Sequence, residues 1–189
     1  MTEHSVTTDK SRAQSALYAI LWPHKEAMTK RWIDTVHGTY PFDTVGFLRT
    51  RKDRFANPVG YRTAEAANAL MDIIFAEAPD EESLGKAVEE IIQVRTIQSF
   101  SPEDAVGIFF AIKDIVRDVV MASGQAGEVL PALFELESRV DAVSLLAFGA
   151  YARHREKLHL MKVEEFKRKH SQIFRLAEKK GGAALTAEE

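Results

Sequence analysis

Cysteine is absent from the chain. Disulfides, iron–sulfur clusters, thiolate zinc sites and cysteine nucleophiles are therefore excluded, and no secreted disulfide scaffold is possible. Long apolar runs are missing too: none approaches the roughly 18 residues that a membrane span needs, so no membrane insertion is expected. The N-terminal MTEHSVTTDKSRAQSALY is polar and shows no signal-peptide pattern, which leads us to expect a cytoplasmic protein. β-structure has no support either, since alternating apolar runs flanked by Asn-Gly or Asp-Gly turns do not occur. Internal repeats are likewise missing.

What is present is one ordinary globular domain's worth of chain, 189 residues, 46% hydrophobic and 28% charged. The net charge of −3 points to no particular partner, but its distribution is uneven. From Glu77 to Asp104 there are eight acids against two bases, and from Lys157 to Lys180 eight bases against three acids. A basic helix has nucleic acid, anionic lipid and acidic proteins as conceivable partners. The simplest account is a solvated face, and no nucleic-acid partner is expected.

Helical spacing accounts for the apolar residues. One helix runs through Leu17, Ile20 and Leu21 and breaks or kinks at Pro23. The pattern resumes at Met28, Trp32, Ile33 and Val36 and ends near Gly38 and Pro41. Between Pro41 and Ala56, Val45, Phe47 and Leu48 suggest a short helix docked on the core. Asn57-Pro58 opens the next helix, with Asn as cap and Pro at the first helical position. Pro79-Asp80 separates it from a helix carrying Leu84, Val88, Ile91, Ile92 and Arg95 on one face. Ser101-Pro102-Glu103-Asp104 is the sharpest start signal, a Ser cap followed by Pro and two acids at the positive end of the helix dipole. The helix it opens reaches about Met121, and its wide apolar arc predicts a central position. After Pro131 nothing but Gly149 interrupts the pattern until Gly181-Gly182. In the second half of that stretch a thin seam persists at His159, Val163, Phe166, His170 and Ile173, in alternating steps of four and three. That is the coiled-coil repeat. Pairing with a second copy is expected, weak and pH-sensitive because histidines occupy the seam; a single charged helix folding back is the alternative.

Chemistry is scarce. The chain has no P-loop, GxGxxG or HExxH motif, and no serine sits in a nucleophile-elbow context. His154 and His159 are five residues apart and point to different helical faces. The adjacent pairs Glu81-Glu82, Glu89-Glu90 and Glu164-Glu165 diverge around a helix, as solvated rather than catalytic acids do. A ferritin-like di-iron site needs Glu-x-x-His on each of two helices, a set the chain does not supply. No enzyme activity, metal or cofactor is expected. Two features stand out. Arg95 lies on or beside an apolar face: its stem covers the core while its head reaches water, or it pairs with a carboxylate, Asp104 or Asp141, to fix helix register. Phe109, Phe110, Phe134, Phe148 and Tyr151 are core residues, or they line a pocket for a small apolar ligand.

The segments IIQVRTIQSFSPEDAVGIFFAIKDIVRD, Ile91 to Asp118, and RVDAVSLLAFGAYARHREKLHLMKVEEF, Arg139 to Phe166, resemble the N-terminal domain of the RsbR/RsbRD family, co-antagonists of the RsbT kinase in bacterial stress signalling. The resemblance rests on Arg95, Gln98, Ser101-Pro102, Lys113, Asp141 and Arg155-Glu156, and extends over roughly residues 15 to 178. It implies an all-α, globin-like helical bundle without haem, a homodimer formed through the last helices, and a signal passed down a helical linker. A globin's proximal His belongs on the helix before the Ser-Pro-capped one; Asp80 to Phe100 contains no His. Because the chain stops at Glu189, it resembles a stand-alone version lacking the STAS output domain. Such a module needs an unidentified protein partner, a component of a regulatory or redox complex. A small-ligand or haem-binding globin-like carrier is the competing expectation. The expected organisation is a disordered stretch at 1–12, the globin-like domain at 13–156, an extended coiled-coil-like helix projecting at 157–180 and a disordered tail at 181–189.

Overall fold

Leucines, valines and alanines three and four residues apart dictate the architecture, and every regular element among the described residues is helical, with no strand. The structure, a computed structural model, describes the backbone of residues 3–41, 44–46, 55–76 and 80–185. Side chains are described for the same residues except 3–9, 172–174 and 176–185. The expectation of a docked helix at Val45, Phe47 and Leu48 falls partly outside these, since Phe47 and Leu48 are not described.

Helix α1, Glu3–Leu21, buries Ala13, Leu17 and Leu21, one residue per turn on a single face. It starts earlier than the polar composition of residues 1–12 suggests. No Gly or Pro occurs before Pro23, and polar residues by themselves do not stop a helix. Pro23 then forces a single 3-10 turn, Trp22–His24, before α2, Lys25–Gly38. Helix α3, Pro58–Ile74, begins where Asn57 caps the amide of Gly60 at 2.8 Å. Helix α4, Glu81–Ile97, is capped by Asp80, and α5, Pro102–Ala122, by Ser101. Helix α6 runs from Ala126 to Leu185. It continues past Gly181-Gly182, where the tail was expected to begin; glycine weakens a helix by about 1 kcal/mol but, unlike proline, does not obstruct it.

Residues Met1–Tyr151 form one compact unit and Ala152–Glu189 a second. In the first, α2 packs on α3 and α5, α3 on α4, and α5 on α1 and α4. The core gathers Trp32, Leu70, Met71, Ile92, Phe109, Ile112, Val140 and Ala147. Each large apolar side chain removed from water contributes roughly 1.5–3 kcal/mol. The Trp32 indole N–H donates to the Ile108 carbonyl at 2.6 Å, so the largest buried aromatic carries no orphaned donor. Arg139 Nη1 donates to the Ala76 carbonyl at 2.9 Å, tying α6 to the end of α3. In the second unit, Leu160, Met161 and Phe166 are exposed, Glu165 pairs with Lys169 one turn on at 2.7 Å, and the Phe166 and His170 rings lie 3.9 Å apart.

Candidate functional site

The helical pattern of α4 places Arg95 in line with the buried Val88, Ile91 and Ile92, and its guanidinium goes into the interior with them. Arg95 is 1% exposed. Its Nη2 donates to Thr39 Oγ1 at 2.8 Å and to the Asp104 backbone carbonyl at 2.7 Å, joining the end of α2 to the start of α5. The Phe100 ring lies 4.0 Å from the guanidinium carbon, and Tyr40 packs edge-on against Phe100 at 4.9 Å. Burial pulls the Arg95 pKa below its ordinary value, while Tyr40 and Asp104 act in the opposite direction. Burial likewise pushes the Tyr40 phenol up.

This arrangement corrects two expectations. The Arg95 head does not reach water. Nor does Arg95 pair with Asp141: that carboxylate meets Lys113 of α5. The reason is position, because Asp141 is half-exposed on α6 whereas Arg95 is sealed behind Phe100. Asp104 contributes its carbonyl, and its carboxylate accepts from Ser101 Oγ at 3.0 Å. Beside the Lys113–Asp141 pair, Arg117 forks onto Glu137 through Nε at 2.5 Å and Nη2 at 2.8 Å. The Arg117 guanidinium holds the Glu137 carboxyl below the usual carboxylate range.

The five aromatics expected in the core or around a pocket are divided. Phe109 and Tyr151 are buried, while Phe110, Phe134 and Phe148 are exposed. Helix α6 turns Val140, Val143, Ala147, Ala150 and Tyr151 inward. On its other face Leu145, Leu146 and Phe148 are 73%, 48% and 56% exposed, so a second apolar stripe faces water. The wide arc of α5 is split in the same manner, with Ile108, Phe109, Ile112 and Val116 buried and Phe110 and Met121 exposed. An apolar cavity of about 20 Å³ does exist, lined by Leu17, Tyr18, Leu21, Trp22, Phe75 and Leu136; it has room for about one water molecule. Of the seam, His159, Phe166 and His170 are exposed and Val163 is half-buried; the Ile173 side chain lies outside the described residues. Among the described residues no group of three His, Asp or Glu is placed to hold a metal, and no helix is long and apolar enough to cross a membrane.

Sequence reasoning missed Thr39, Tyr40 and Phe100 around Arg95, which come from other elements and carry no local signal. Lys113 was within reach: it stands in the same pattern as Asp141, and charge alone suggests the pair.

The model for the RsbT co-antagonist protein rsbRD N-terminal domain matches residues 26–165. The chain belongs to this family. No curated protein and no solved structure matches it. The match runs from α2 well into α6, so it takes in both the Arg95 cluster and the exposed apolar stripe. The RsbRD N-terminal domain is a regulatory sensor domain of stress signalling.

Proposed function

We propose that this chain is a non-enzymatic regulatory module that acts by pairing with a second copy of itself and engaging a protein partner. The observation that carries this is the outer face of α6. Leu145, Leu146 and Phe148, with Phe134 further back, present large apolar side chains to water on the helix whose inner face already builds the core. A contiguous exposed apolar patch of this kind marks an interaction surface, and a face used by two identical copies is self-complementary about a twofold axis. The seam at His159, Val163, Phe166 and His170 gives the second unit a separate stripe at coiled-coil spacing. The basic residues around it, Lys157, Lys162, Lys167, Arg168 and Lys169, suit an acidic protein partner.

Sedimentation of the full chain at tens of micromolar tests the pairing. A dimer is expected, converted largely to monomer by Phe148→Glu with thermal stability little changed, because that side chain is exposed in the single chain. Phe166→Glu isolates the seam and is expected to weaken association less. A wild-type monomer at those concentrations would remove the self-association half of the proposal.

A further inference from the structure

The regulatory reading makes no use of the buried Arg95 guanidinium. A guanidinium has five N–H donors. The two on Nη2 are taken by Thr39 Oγ1 and the Asp104 carbonyl. Among the described residues, Nε and Nη1 are buried without a hydrogen-bond partner, which leaves three donors unmet. Neither acceptor is a carboxylate. Among the described residues, the charge is met by the Thr39 hydroxyl, the Asp104 carbonyl and the rings of Phe100 and Tyr40, 4.0 and 5.8 Å from the guanidinium carbon. A buried cation in such a setting is costly, because low-dielectric surroundings neither solvate it nor supply a counter-charge.

The cover over this site is itself unusual. Between α4 and α5, Ser99 has φ +63, a left-handed conformation uncommon outside glycine. The strained turn is held from two sides. Tyr40 donates its hydroxyl to Gln98 Oε1 at 2.7 Å, and Tyr151 donates to the Phe100 carbonyl at 2.8 Å. Asp104 is a charged neighbour acting on Arg95, and its exposed carboxylate is engaged by Ser101.

We propose that Arg95 is the receptor for a small monovalent anion, a carboxylate or a halide, taken up beneath the Gln98–Ser101 segment. Monovalent follows from the single cation and from Asp104, which repels a second negative charge. Small follows from the enclosure by Thr39, Phe100 and the α5 backbone. Uptake draws the unmet N–H donors onto the anion and lifts Phe100 from the guanidinium face. The Phe100 carbonyl then carries the movement to Tyr151, the last residue of the first unit. As a binding site this stands alone; as the input to a sensor it rests on the function proposed above.

Nuclear magnetic resonance of the nitrogen-15-labelled full chain tests it. Sodium formate and sodium chloride are titrated separately against a sodium sulfate background at constant ionic strength, and arginine Nε–H signals are followed. One such signal, absent from Arg95→Lys, is expected to move along a saturating curve with formate or chloride, together with the Ser99 and Phe100 amides. The anion that saturates it names the source. Arg95→Lys is expected to weaken binding about tenfold or more at the same amides, and Arg95→Met to abolish it. No saturating shift with either anion in the wild-type chain overturns the proposal, as does an unchanged curve in Arg95→Met. Sedimentation without added formate or chloride reads the regulatory proposal separately, so the two fail independently.

Discussion

Arg95 and Arg117 sit on consecutive helices and meet opposite conditions. Arg117 is half-exposed and forks onto the Glu137 carboxylate, whereas Arg95 is sealed in the interior with a hydroxyl, a carbonyl and an aromatic face. Around the half-exposed Arg117, water shares the cost of the charge. In the interior Thr39 Oγ1 and the Asp104 carbonyl rely on Nη2 of Arg95, so the same residue type becomes a structural commitment.

That contrast is broken or sharpened by substitution, and the interior comes first. Arg95→Ala leaves the Thr39 hydroxyl and the Asp104 carbonyl without their donor and opens a cavity. Urea unfolding is expected to show a loss of about 3 kcal/mol. Arg95→Met fills the space with apolar volume and should recover much of that. A loss under about 1 kcal/mol for the alanine variant would erase the distinction between the two sites.

Next in size is Trp32→Phe, which removes the indole donor from the Ile108 carbonyl. A buried acceptor left unmet costs about 1–3 kcal/mol, so a fall in Tm of several degrees is expected in calorimetry.

Arg117→Ala is expected to cost the least, about 1 kcal/mol or below, since the pair is partly exposed and screened. Its effect should shrink further in roughly 1 M salt. Its pH dependence has a definite sign. Glu137 is held below its ordinary pKa in the folded chain by Arg117. The stabilisation is therefore complete above the unfolded value of about 4.3 and lost as pH falls through the lower folded value. Wild type and Arg117→Ala should differ at pH 6 and converge in acid, measured by urea midpoints.

Much of the fold is legible in local chemistry. Asn57-Pro58, Asp80 and Ser101-Pro102 mark three helix starts by cap and dipole, and Pro23 marks a break, because these effects act within one turn. The limits of α1 and α6 were harder to read. Polar residues near Glu3 and the glycines at 181 and 182 weaken helical preference without forbidding it. The places of Phe134 and Phe148 were hard to read for a related reason: apolar residues fall on both sides of α6 between Leu133 and Tyr151, and apolarity alone does not say which side faces the core.

By itself, then, the order of residues determined the all-helical class, the helix starts and the absence of thiol chemistry, since each depends on residue type and near spacing. Only the packed chain decided that Arg95 meets Thr39, Asp104 and Phe100, that Asp141 meets Lys113, and that Phe134 and Phe148 face outward. The Arg95–Thr39 and Lys113–Asp141 contacts join residues tens of positions apart. They are selected by which faces compete for the same interior, a competition that no single segment expresses.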